Sequence, residues 1–237
     1  MRTFVAVLAM VGALLSGCSS TIPVKVDSIT SGAQGTGSRY LWFSGMKEVA
    51  RDDLYFREFS RYFRTVLEQR GYHEGRADGA DLAIYFSYGV SPGRTVYYTT
   101  STPVYGWFGG DTFVYVESGD GGDGQNSTRT IRTITTPIYR RVVGMDVDTR
   151  SYTLFTSFAT LEAKRFQPGK SAQQMETVWK ITASTTGRSN DLRALMPALA
   201  LAAAPYIGKD SGAAKIVKVK RDDPGLQELR RRSRLRD

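Results

Sequence analysis

DLYFREFSRYFRTVLEQRG, Asp53 to Gly71, has apolar residues Tyr55, Phe59, Tyr62, Phe63, Val66 and Leu67 at three- and four-residue intervals. That is the period of an α-helix with one face in a core. Arg57, Glu58, Arg61, Arg64 and Glu68 fall on the other side. The pattern predicts a helix lying on a sheet with its charged face in water. Asp52 or Asp53 supplies the N-cap, and Gly71 stops the helix because glycine tolerates the left-handed backbone that closes one.

Outward from this helix, strand patterns dominate. Toward the N-terminus, VKVDSI alternates Val24 and Val26, a glycine-rich loop TSGAQGTGS follows, and RYLWF is a second strand candidate. Toward the C-terminus, LAIYFSYGV, Leu82 to Val90, is an apolar run short enough for a buried strand. RTVYYTTSTPVYGWFGG, DTFVYVES and STRTIRTITTPIYRRVVGMDV are dense in β-branched and aromatic residues between Gly and Pro punctuation. YTLFTSFATLEAKRF and METVWKITASTTG, separated by a Pro168-Gly169 turn, read as two more strands. A second helix is predicted from Asp191 to Ile207, capped by Asn190 or Asp191 and stopped at Gly208, with Pro197 and Pro205 kinking or shortening it. Helices near both ends with strands massed between them predict an α+β fold, an antiparallel or mixed sheet with helices packed on one face.

The lone cysteine, Cys18, excludes an intrachain disulfide. It ends an apolar segment of about a dozen residues, Phe4 to Leu15, that follows the positive Arg2. This is the build of a secretory signal peptide, too short for the roughly 20 apolar residues of a spanning helix. Leu15-Ser16-Gly17-Cys18 resembles the lipobox of bacterial lipoproteins. The resemblance implies lipid on the cysteine, removal of residues 1–17, and acylation of the new amino terminus. Three acyl chains make such an anchor effectively permanent, since each buried CH₂ contributes about 0.8 kcal/mol. By resemblance to enterobacterial sorting, Ser19 and Ser20 in place of an aspartate imply the outer membrane, with the protein facing the periplasm. The organisation expected is therefore a signal peptide over 1–17, a lipidated cysteine and short tether over 18–23, a single domain over 24–220, and a basic tail over 221–237.

Formal charge is +9 over 237 residues. From Lys209 onward there are ten Lys and Arg against five Asp and Glu, so the basic character concentrates at the end of the chain. RRRSRLR places Arg230, Arg231, Arg232, Arg234 and Arg236 within seven residues, a candidate contact for anions. No nucleic-acid motif accompanies the charge, and an exported lipoprotein meets no nucleic acid. Anionic envelope components or an acidic periplasmic protein are the counterparts it fits.

The lipobox, VKVDSI, FREFSRYFRTVLEQRGY followed by ADLAIYFSYGV, a Tyr- and Gly-rich middle, and ETVWKITASTTG before an Ala-rich helix together look like a family of Gram-negative lipoproteins carrying a domain of unknown function. The likeness covers most of residues 20–220. It implies fold and location, and transfers no catalytic residue.

Searched for chemistry, the sequence offers isolated pieces. His73, the sole histidine, follows the first helix in a turn. Ser44 and Lys47 have the S-x-x-K spacing of penicillin-interacting enzymes, without the companion S-D-N and K-T-G elements. GDGGDG presents Asp120 and Asp123 as oxygen ligands for calcium, but one copy is better read as a solvated hairpin tip. Asp146 and Asp148 share one side of a strand, a spacing some metal enzymes use and strand ends also show. Tyr97, Tyr98, Tyr105, Trp107, Phe108, Phe113 and Tyr115 form either a surface for glycan or peptide or, the favoured reading, cross-strand packing. Asn126-Ser127-Thr128 fits a glycosylation acceptor, which means little in a bacterium. No metal site and no cofactor are predicted. Two functions remain: a non-enzymatic binding or assembly module anchored by lipid, favoured, and a lipid-anchored hydrolase acting on cell-wall or lipid material.

Overall fold

The computed structural model describes residues 21–32, 37–119 and 128–235. The signal segment, Cys18, Asp120, Asp123, Asn126 and Arg236 lie outside the described residues. The chain divides into two compact units, one of Met1–Arg94 with Thr153–Asp237 and one of Thr95–Tyr152. The span 24–220 read as a single domain contains the whole of the second unit.

In the larger unit, strands β1 (Thr21–Thr30), β2 (Arg39–Ser44), β3 (His73–Glu74), β4 (Leu82–Val90), the part of β8 (Tyr139–Arg165) from Thr153 onward, β9 (Thr177–Gly187) and β10 (Lys215–Lys220) form a mixed sheet in the order β10-β1-β9-β8-β4-β2-β3. Its ladders are antiparallel except where β2 pairs in parallel with β3 and β4. Between β2 and β4 the chain crosses over through helix α1 (Leu54–Gln69), as parallel neighbours require. Helices α2 (Leu192–Ala203) and α3 (Pro224–Arg234) follow the later strands. Strand prevails over helix among the described residues, so the α+β expectation holds in its mixed sheet and its helices.

The register aligns one buried face across the sheet. Val26 sits opposite Ala183, which faces Ala159; Ile181 faces Leu161, which faces Phe86; Ile84 faces Trp42. All eight are buried, and all belong to one core with Phe56, Phe59, Phe63, Val66 and Leu67 of α1 and Met196, Leu199 and Ala203 of α2. Helix α1 begins where Asp53 accepts a hydrogen bond from the Phe56 amide at 2.8 Å, and the chain leaves it at Gly71 with φ +83°. The buried stripe differs from the expected one at its start. Phe56 is buried and Tyr55 is 59% exposed, so the helix is turned by one position and Ser60 also faces inward, accepting from Trp42 Nε1 at 3.0 Å. Pro205 ends α2 at Ala203 by entering a 3₁₀ turn, Ala204–Tyr206, before Gly208 at φ +69°.

Both ends of the larger unit correct the expected boundaries. Thr21–Pro23, assigned to the tether, belong to β1, where Ile22 is buried and pairs with Val219. The basic tail expected over 221–237 contains α3. Asp223 caps it by accepting from the Gly225 amide at 2.8 Å, Pro224 occupies its first turn, and Leu226, Leu229 and Ser233 are buried. Dense arginine masks an apolar pair at helical spacing.

The link between α1 and β4 is testable by alkali. Burial pushes the Tyr88 hydroxyl up to about 12 from its ordinary 10, and the charge of Asp53 and a hydrogen bond to it add to the shift. A raised folded value stabilises fully below pH 10 and is lost as pH rises through about 12. Urea midpoints should fall more steeply across that window for wild type than for Tyr88→Phe. Parallel curves would show that folding does not raise the Tyr88 hydroxyl above its ordinary range.

In the smaller unit, β5 (Arg94–Phe108) pairs with β8, and β6 (Thr112–Gly119) pairs antiparallel with β7 (Thr128–Thr135). Thr99 meets Thr149 at 3.4 Å, and the Tyr98–Tyr152 and Phe108–Tyr139 rings approach to 5.9 and 6.1 Å. None of this unit's described side chains is buried.

Candidate functional site

Helix α3 packs against α1 and α2, and the three enclose a cleft of about 760 Å³. Helix α1 contributes Glu58, Arg61 and Tyr62; the start of α2 contributes Asp191 and Arg193; α3 contributes Arg230, Ser233 and Arg234. The placement follows from helical geometry. Leu226 and Leu229 turn into the core, which carries Arg230 and Arg234, one turn apart, to the flank that borders α1.

Four guanidinium groups therefore line one cleft with two carboxylates. Both carboxylates are committed. Glu58 accepts from Arg193 Nε at 2.7 Å, and Asp191 caps α2 through the Ala194 amide at 3.0 Å. The exposed Arg193 has its pKa raised by its bond to Glu58. Tyr62 reports the local field: burial raises its pKa, Glu58 raises it further, and the guanidinium groups of Arg230, Arg234 and Arg193 act in the opposite sense. Planar guanidinium forks fit phosphate, sulfate or carboxylate oxygens bidentately, so the cleft has the donor set of an anion receptor.

The five tail arginines divide three ways. Arg230 and Arg234 line the cleft. Arg231 and Arg232 bind Glu228 at 2.8 and 2.6 Å, and their hydrogen bonds hold its carboxyl down to about 2. Arg236 lies outside the described residues. The cluster expected as one contact is thus split between the cleft and an ion-pair network on the same helix. Arg61 and Arg193 were missed. Arg61 belonged to the face read as solvated, and Arg193 stands 37 positions before Arg230, joined to it through packing alone.

The other candidates separate. Ser44 Oγ donates to the Met46 carbonyl at 3.1 Å and accepts from its amide at 3.2 Å, closing a turn while Lys47 stays exposed. His73 is exposed on β3, its amide bonded to the Ser38 carbonyl. Asp148 pairs with Arg150 at 2.7 Å, beside an exposed Asp146. Among the described residues, no three His, Cys, Asp or Glu side chains are grouped so as to hold a metal ion. No described helix is long and apolar enough to cross a membrane. In the aromatic set, Arg140 lies over Tyr105 at 4.3 Å and over Trp107 at 5.9 Å, while Tyr97 and Trp107 are 71% and 72% exposed. Cross-strand packing accounts for part of that set and leaves much of its area in water.

No family model matches this chain, and no curated protein does. Among solved structures, a PDZ domain protein from Parabacteroides distasonis aligns with 90% of this chain and 42% of its own, at 11% identity and a TM-score of 0.39. A likeness this weak carries no argument about the fold or the role of this chain.

Proposed function

We propose that this chain is a lipid-anchored, periplasm-facing lipoprotein of the cell envelope, at the outer membrane, that serves as a non-enzymatic binding or assembly module. It belongs, on this reading, with the Gram-negative lipoproteins whose sequence pattern it resembles. Its fold is an α+β arrangement in which α1, α2 and α3 cover one face of the mixed sheet, a reading supported by their shared core. The observation that carries the binding role is the cleft of Arg61, Arg193, Arg230 and Arg234. Its partners are phosphate or carboxylate groups of the envelope or of an acidic periplasmic protein.

Anchor and cleft cooperate. From a lipidated Cys18, the three residues to the start of β1 at Thr21 reach at most about 10 Å, so the domain is held close to the membrane surface. Charge interactions there are screened beyond about 10 Å at moderate salt. Cells fed a clickable palmitate analogue should label the mature wild type and leave Cys18→Ser unlabelled; an unlabelled wild type removes the anchor. Purified Cys18→Ser protein should bind phosphatidylglycerol vesicles over phosphatidylcholine at low salt, and equal binding to both removes the anion role.

A further inference from the structure

The unit Thr95–Tyr152 has strands and turns but none of its described side chains is buried. Eight of its aromatic side chains are 40–72% exposed. A whole aromatic side chain offers roughly 200 Å², so these present on the order of 800 Å² before any aliphatic residue is counted. Summed over the unit, that exposed aromatic area is comparable with the roughly 800 Å² each partner gives to a stable interface.

The backbone points the same way. β6 and β7 pair with each other, and β5 pairs with β8, whose ladders to β4 and β9 start at Ser157 and Phe155. Among the described residues, both two-stranded ribbons keep outer edges without a strand partner. A ribbon of two strands is marginal in water by itself, and an open edge is a template for another strand.

These features discriminate among occupants. The interior of a bilayer supplies no hydrogen-bond partner for open strand edges. A glycan stacking on one or two rings would leave most of the apolar area in water. Charge is the third criterion. The unit carries five arginines against six Asp and Glu within a chain of net charge +9, so it is where like copies repel least and where an anionic surface attracts least. A second copy brings matching edges, matching apolar area and a net charge close to zero.

We infer that β5, β6, β7 and the Tyr139–Tyr152 part of β8 form a self-association surface through which copies of this chain join, edge to edge and through their exposed aromatic side chains. The inference does not depend on the arginine cleft. The protein purified from membranes, in mild nonionic detergent matched for density, should sediment at micromolar concentration as two or more copies. Trp107→Asp combined with Val147→Asp, both at exposed positions, should sediment as one copy with unchanged circular dichroism. In cells, a photo-crosslinking residue at Tyr115 should give an adduct of twice the chain mass. A wild type that sediments as one copy, or a Tyr115 crosslink that never joins two copies, overturns the inference without reference to how the variant folds.

Discussion

Phe86→Ala should lower the stability of the larger unit by about 3–5 kcal/mol, the range for removing a buried aromatic side chain. Phe86 is fully buried, with its ring 5.0–5.8 Å from those of Phe63, Tyr88, Trp42 and Phe56. It therefore joins α1 to β2 and β4, and in the ladder it stands opposite Ser44 on one side and Leu161 on the other. Truncation removes transfer free energy and leaves a cavity walled by rings that cannot all close in together. Phe86→Leu keeps much of the volume and should restore more than half of the loss. Chemical denaturation with constant m-value measures both; a loss under about 1 kcal/mol for Phe86→Ala would mean that the site collapses without strain.

The parts of the fold that were legible in sequence are those where periodicity and punctuation agree. Asp53 and Gly71 bracket α1 because a cap and a left-handed stop are local devices, and the buried strand at Leu82–Val90 is a short apolar run. What periodicity leaves open is phase. Both Tyr55 and Phe56 fit the stripe of α1, and packing against Phe86 selects Phe56. The division at Thr95–Tyr152 was not legible, since Val, Tyr and Trp at alternating positions look alike in a core strand and in an exposed ribbon. The cleft was half legible: the arginines of α3 stand out by density, whereas Arg61 and Arg193 become neighbours of them through tertiary packing.

Helix α3 makes opposite demands on its two faces, and paired variants should separate them. Leu226→Ala with Leu229→Ala removes both buried leucines and should cost roughly 4 kcal/mol or more, because a single buried Leu→Ala typically costs 2–5 kcal/mol. The two sites are neighbours on one helix, so the joint effect need not equal the sum of the single ones. Arg230→Gln with Arg234→Gln leaves the apolar face intact and should change stability by no more than about 0.5 kcal/mol. Binding should respond in the reverse order. A basic side chain near an anionic surface is worth on the order of 1 kcal/mol, so losing two should weaken binding of the Cys18→Ser chain to phosphatidylglycerol vesicles by about 2 kcal/mol, or roughly thirtyfold, at low salt. Raising the salt should shrink that gap as the charges are screened. Arg231→Gln with Arg232→Gln is the control, because these arginines are held by Glu228, and it should weaken binding less. If both arginine pairs weaken binding equally, the attraction is general charge and the cleft has no special part in it. If the double leucine variant keeps the wild-type melting temperature, α3 is not a structural element of the domain.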